Sequence, residues 1–283
     1  MKIIRKAECK IGGHILKITG RQKRKLQKWI ALVLAVLSLL GPCISALTLI
    51  RRDYRNCFKV LEVSKISDKK LPIYCVDTKG EKKVALTFDA AWGDEDADKI
   101  LNTLKEHDVK VTFFMVGDWM RKYPDLVKRI ANEGHDVANH SNKHPHVSQM
   151  SQAKIKEDLL AAHEEIKKLT GIDCYLYRPP YGEYNNVVIE AAKECGYHTI
   201  QWDVDSIDWK GYDAPTIVQK VLAHKHLGNG SIILLHNGAK HTAEALPKII
   251  VGLKEKSYEI VPISQLIYKE NYSLDHEGRQ HLE

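Results

Sequence analysis

From Lys83 onward the chain alternates between short apolar runs and stretches of helical length, and few folds satisfy that rhythm. Lys83–Phe88, Val111–Val116, Asp136–Asn139, Tyr175–Arg178, His198–Trp202, Ser231–Leu235 and Glu259–Pro262 are the expected strands. Asp96–Glu106, Pro124–Asn132, Ser151–Leu169, Val187–Glu194, Ala214–His224 and Thr242–Lys254 are the expected helices between them. In the third of these, Ile155, Leu159, Ala162, Ile166 and Leu169 share one face, with Ser151 placed to cap the start and Gly171 the end. Strands joined through helices of this length form βαβ units and a parallel sheet. The expected fold class is therefore α/β, a distorted (β/α) barrel of about seven parallel strands, favoured over a doubly wound open sheet.

Upstream of the repeat the composition changes abruptly. Residues 1–28 carry ten Lys/Arg and one Glu, a net +9 within a whole-chain +7, so everything after them is at −2. A slightly acidic body does not fit nucleic acid as a substrate. Trp29 to Ile50 is uncharged, mostly apolar and close to the ~20 residues that cross a bilayer. With Lys/Arg concentrated before it, residues 1–28 are expected as a cytoplasmic tail and 29–50 as a single-pass transmembrane signal-anchor, with the rest on the outer side of the cell membrane. A signal peptide cleaved after Ile44-Ser45-Ala46 is the alternative; a core helix is disfavoured because soluble domains seldom hold helices apolar on every face. Residues 51–81 mix charge with Pro72 and Gly80 and are expected as a linker, 82–268 as the folded domain, and 269–283 as a polar, disordered tail. Cys9, Cys43, Cys57, Cys75, Cys174 and Cys195 show no CxxC spacing, which argues against a zinc ribbon or a dithiol redox motif. Free thiols are expected over a Cys57–Cys75 or Cys174–Cys195 disulfide.

In a parallel barrel the residues just past each strand converge on one mouth, where this architecture holds its chemistry. Asp89 follows the first strand, His140 and His144 the third, Arg178 to Gly182 the fourth, Asp205 and Asp208 the fifth, and His236 the sixth. His140 and His144, four residues apart, can hold a divalent cation from one side, while His146 is expected to face solvent. A guanidinium at Arg178 would lower the pKa of Asp89 and keep it ionised. The rigid Arg-Pro-Pro-Tyr-Gly turn can offer a main-chain N–H to an oxyanion. Asp205 near His236 would raise the imidazole pKa and leave it a proton to give. Trp209 is a candidate wall for a sugar, against the commoner fate of a core tryptophan.

In order and spacing, Thr-Phe-Asp-Ala-Ala-Trp-Gly, His-Ser-Asn-Lys-His-Pro, Arg-Pro-Pro-Tyr-Gly, Asp-Ser-Ile-Asp-Trp and Leu-Leu-His resemble the five motifs of the NodB-like polysaccharide deacetylases, carbohydrate esterase family 4. The resemblance covers residues 82–268 and is nearest to the membrane-anchored, sporulation-associated branch of spore-forming Gram-positive bacteria. It implies a distorted barrel and a metal-dependent hydrolase that removes acetyl groups from N-acetylated amino sugars of peptidoglycan or a chitin-like polymer. Carried over, it makes Asp89 the base, His140 and His144 the metal pair, and Arg178 the residue that orients the base. Tyr181 supplies the oxyanion N–H, Asp205 tunes the acid, Trp209 and Leu234 line the acetyl group, and His236 is the acid.

One position departs from that pattern. The family carries a second aspartate after the base as a third metal ligand, and here it is Ala90. Asp94, beyond Gly93, is the proposed substitute ligand for a divalent metal, expected to be zinc. Two other readings stay open: a glycan-binding or sporulation-structural protein that lost catalysis through Ala90, and an amidase acting on small non-sugar amides.

Overall fold

The computed structural model describes residues 20–32, apart from 22 and 26, and residues 69–283. The first stretch is helical (α1), and the second, Lys69–Glu283, forms a unit of its own. Most of the expected cytoplasmic tail and membrane segment, and residues 51–68 of the linker, lie outside the described residues. Among the described residues no helix is long and apolar enough to cross a membrane.

Strand β1 (Cys75–Val76) leads into β2 (Lys83–Ala90), from which α2 (Ala97–Glu106) runs to β3 (Thr112–Met115). Two helices, α3 (Gly117–Lys122) and α4 (Pro124–Asn132), precede β4 (Asp136–Asn139), and the long α5 (Gln152–Thr170) precedes β5 (Leu176–Tyr177). Next come α6 (Asn186–Glu194), β6 (His198–Thr199) and, with no helix between, β7 (Val204–Asp205). The remaining units are α7 (Ala214–Leu222), β8 (Ile232–Asn237), α8 (Thr242–Glu255), β9 (Glu259–Ile260) and α9 (Ile263–Leu266), followed by a hairpin of β10 (Tyr272–Leu274) and β11 (Arg279–Leu282).

The helices sit where local chemistry puts them. Ile155, Leu159, Ala162 and Ile166 form the buried face of α5, and Gly171 ends it at φ 74° with its N–H on the Lys167 carbonyl. Ser151 does stand at the N-cap of α5, but its side chain makes no capping bond. Asn185 and Asp213 do cap α6 and α7, accepting from the Val188 and Thr216 N–H groups at 3.0 and 3.1 Å.

The sheet is parallel throughout, in the order β6-β5-β4-β3-β2-β8-β7, with β9 beside the start of β2. β2 lies between β3 and β8 and is covered on both faces, so Val84 to Ala90 are each 5% exposed or less. Phe88 stacks on Phe113 at 5.1 Å across the β2–β3 pair. The expected seven strands are all present, and the barrel is open: its edge strands β6 and β7 do not pair with each other. The two ends of the unit cover that seam. Ile73 bridges to Ile200, Cys75 bridges to Ser231, the Val76 N–H donates to the Gly230 carbonyl at 3.0 Å, and β11 pairs with β1.

Two expectations change here. Residues 269–283 are not a disordered tail, because β10 and β11 form an antiparallel hairpin whose Gln280 is fully buried. The folded unit also starts earlier than residue 82, since the seam takes its covering strand from residues assigned to the linker. Cys75, Cys174 and Cys195 are free thiols, while Cys57 lies outside the described residues.

The seam gives a direct test. Gly230 holds φ +80°, and a Cβ there would meet the Val76 carbonyl oxygen at 1.7 Å. Gly230→Ala is expected to lower stability by about 2–3 kcal/mol through backbone strain and loss of the Val76 bond. Urea unfolding measures it, and an unchanged midpoint would show that the fold does not depend on this closure.

Candidate active site

Register brings the first two functional side chains together. Asp89 of β2 is paired directly with His236 of β8, and parallel neighbours in register project to the same face. On the other side of the mouth, Asn139 pairs with Tyr177, so the residues that follow, His140 and Arg178, are neighbours as well. The Arg178 N–H donates to the Asn139 carbonyl at 3.0 Å, and His140 Nδ1–H donates to the Arg178 carbonyl at 2.8 Å. A carbonyl can only accept, so the tautomer of His140 is fixed and its Nε2 keeps a lone pair. That Nε2 lies 3.5 Å from Asp89 Oδ2.

Arg178 is fully buried and holds Asp89 from behind, its Nη1 on Asp89 Oδ1 at 2.6 Å. Its guanidinium lies over the Phe114 ring at 4.1 Å, and Nη2 donates to the Gln201 carbonyl at 3.1 Å. Burial alone would raise the Asp89 pKa; the charge of Arg178, aided by His140 and His236, overcomes it and holds the carboxyl below its ordinary value. Burial also lowers the pKa of both imidazoles, His144 to about 4, so they are neutral near pH 7.

His236 is held by Asp208, not by Asp205. Its Nδ1–H donates to Asp208 Oδ1 at 2.7 Å and its main-chain N–H to Asp208 Oδ2 at 2.8 Å, while Thr242 Oγ1 donates to the same Oδ2 at 2.6 Å. Burial opposes a charge on His236, but the hydrogen bond and charge of Asp208, with Asp89 and then Asp205 behind it, raise its pKa. Asp205 turns one oxygen back to its own loop, accepting from the Ile207 N–H at 2.8 Å.

The base, the acid and the two imidazoles open onto one cavity of about 540 Å³, the size of a small-ligand site, while Arg178 and Asp208 are buried outside its lining. Asp89, His140, His144, Tyr181, Asp205, Trp209, Leu234 and His236 are all at its wall, as their sequence positions predicted. Gly182, at the end of the expected turn, is there too, and Ala91, Trp92 and Trp202 join them unforeseen. Trp92 stacks on the His236 ring at 5.1 Å, although its place in the first motif was the available signal. Trp92, Tyr181 and Trp209 are each about half exposed, giving the mouth an aromatic rim. Tyr181 holds a left-handed φ of 58°, unusual for a side chain of its size.

Asp94 is not brought to the site. It is exposed and outside the cavity, because its loop is pulled the other way: the Gly93 carbonyl accepts from Asn237 Nδ2 at 2.7 Å and from Trp119 Nε1 at 3.1 Å. Ala90 is fully buried within β2. Among the described residues no group of three or more His, Cys, Asp or Glu side chains is arranged to hold a metal ion. Two neutral imidazoles remain, one short of the three protein ligands of a catalytic zinc centre, so the residues present do not fit that centre.

The family profile described as polysaccharide deacetylase matches residues 76–200. The chain is 38% identical over 188 residues to a peptidoglycan-N-acetylglucosamine deacetylase of Bacillus cereus, covering 65% of this chain and 68% of that protein. It is 34% identical over 218 residues to the peptidoglycan-N-acetylmuramic acid deacetylase PdaA of Bacillus subtilis, covering 75% and 81%. Against YlxY of Bacillus subtilis, 38% identical, the match spans 57% of that protein's length. Among solved structures, a CE4 family pseudoenzyme from Bacillus anthracis superimposes with a TM-score of 0.67 at 34% identity, covering 70% of this chain and 69% of that one. A mutant of that pseudoenzyme is described as having restored enzymatic activity.

Two measurements follow from this geometry. Asp208→Asn is expected to lower the His236 pKa, because it removes the bonded charge that raises it, whereas Asp205→Asn leaves most of the elevation in place. Imidazole titration by NMR reads both, and equal shifts would assign the role to neither carboxylate in particular. Ala90→Asp is expected to lower the melting temperature without metal, since a buried carboxylate lacks a partner, and to regain it when zinc binds beside His140 and His144. A melting temperature indifferent to zinc would show that position 90 does not reach the imidazoles.

Proposed function

The chain belongs to the polysaccharide deacetylase family, and from that premise we propose that it is a hydrolase that removes N-acetyl groups from amino sugars of a cell-wall polymer, peptidoglycan or a chitin-like chain. The pairing of Asp89 with His236 carries the reading. A base and an acid face one cavity, each backed by a partner of opposite charge, Arg178 for the one and Asp208 for the other.

The chemistry follows from those two protonation states. Ionised Asp89 takes a proton from water as the water oxygen attacks the acetyl carbonyl carbon. The main-chain N–H of Tyr181 bonds the oxyanion that develops, with Leu234 and Trp209 against the acetyl methyl. Protonated His236 gives its proton to the amide nitrogen as the C–N bond breaks, because an unprotonated amide nitrogen leaves poorly. The products are acetate and a free amino sugar. Trp92 and Trp209 at the rim suit the flat faces of sugar rings. No step is assigned to a metal, since His140 and His144 fall one ligand short of a catalytic centre. The reading also has Lys69–Glu283 outside the cell, tethered to the membrane through residues 29–50, as in the sporulation-associated branch that the motifs resemble; protease treatment of intact cells tests that location.

Ala90 favours a second reading, a glycan-binding protein with the family's groove and no turnover. The pseudoenzyme among the structural neighbours shows that this fold can occur without activity.

Acetate release from N-acetylglucosamine oligomers and from peptidoglycan separates the two. The full-length protein is expected to release acetate, and Asp89→Asn or His236→Ala to lose at least about 10²-fold while remaining folded. Asp89 titrates below its usual 3.8 and His236 above its usual 6.5. Activity is therefore expected to persist between these limits and to fall as pH rises past the His236 pKa, where the acid loses its proton. Glycan binding without acetate supports the second reading, and full turnover in either variant defeats the assignment of base and acid.

A further inference from the structure

Two loops meet at the cavity wall through a row of four rings in contact. His140 lies edge-on to His144 at 4.9 Å, His144 edge-on to Tyr181 at 4.4 Å, and Tyr181 face to face with His146 at 4.5 Å and 16°. Tyr181 is 58% exposed, so burial does not hold its ring, and its left-handed backbone is one that tyrosine disfavours. Gln201 Nε2 holds one end of the turn, donating to the Gly182 carbonyl at 2.9 Å, but it does not touch the Tyr181 ring.

His146 is positioned to do so. Its Nδ1–H donates to Glu183 Oε1 at 2.7 Å, and Ser148 Oγ donates to Glu183 Oε2 at 2.7 Å. Glu183 lies two residues beyond Tyr181, so these bonds tie the loop carrying the histidines to the turn carrying Tyr181. Asn185 Nδ2 adds a third tie, donating to the Ser148 carbonyl at 3.1 Å. A solvent-exposed hydrogen bond such as His146–Glu183 adds little stability by itself. Its effect is orientation, because it sets the imidazole flat against the phenol ring.

We propose that His146 is a positioning residue: held by Glu183, its ring braces the Tyr181 turn and so fixes where that turn stands at the cavity wall. This deepens the deacetylase reading and rests on it for the kinetic outcome alone. His146 does face solvent, as expected, and has this mechanical task as well.

The turn is closed by the Gly182 N–H on the Pro179 carbonyl and the Glu183 N–H on the Pro180 carbonyl, at 3.2 and 3.0 Å. In the full-length protein, His146→Ala is expected to speed amide hydrogen exchange at Gly182 and Glu183 about tenfold. It is also expected to lower kcat for acetate release about tenfold while KM changes less than about twofold, since a displaced oxyanion donor costs less than a deleted one. His146→Phe restores a ring at the same place and recovers most of both. Unchanged exchange in His146→Ala, or a Phe variant no better than Ala, overturns the brace. A wild-type protein that releases no acetate defeats the deacetylase reading, and the exchange rates still decide the brace.

Discussion

The mouth of the barrel depends on one buried ion pair. Arg178 and Asp89 come from β-strand ends that are not neighbours in the sheet, and removing either partner would leave a charge stranded in the interior, at a cost of about 3–5 kcal/mol. What makes the pair tolerable is the number of bonds made by the same arginine. Its carbonyl fixes the tautomer of His140, its Nη2 reaches the Gln201 carbonyl next to β6, and its guanidinium rests on Phe114. Only its Nε lacks a partner. One side chain thus joins the ends of several strands and keeps a buried carboxylate ionised.

The opposite side of the cavity uses the same logic with the charges reversed. Asp208, 1% exposed, accepts from the His236 ring, from the His236 main chain and from Thr242, so its carboxylate is fully engaged in shaping one imidazole. Trp92 covers the outer face of that ring. A base stabilised by a cation and an acid stabilised by an anion then stand side by side in register, with opposite protonation states favoured at the same pH.

Much of this was legible in the sequence because it rests on periodicity. Six helices and seven strands follow from apolar spacing, and the polar residues at strand ends converge as a parallel barrel requires. The misses have physical causes. β7 is two residues long and follows β6 without a helix, so it carries no period to detect. The β10–β11 hairpin has strands of three and four residues that mix polar and apolar side chains, too short to show a period, and only Gln280 among them is fully buried. The choice between Asp205 and Asp208 turned on Ile207, whose left-handed φ of 56° reverses the chain and delivers the second carboxylate to His236. Asp94 failed because spacing cannot reveal that Gly93 is anchored on the far side by Asn237 and Trp119.

The open edge between β6 and β7 has a consequence for synthesis. Its cover consists of a strand from the beginning of the unit and another from its last few residues, zipped together as Cys75 with Arg279 and Val76 with Gln280. A chain emerging from the ribosome in order has every other strand available before that final zip can form. The unit therefore stays incompletely shut until β11 has been made, so closure of the seam comes after every strand of the parallel sheet is available.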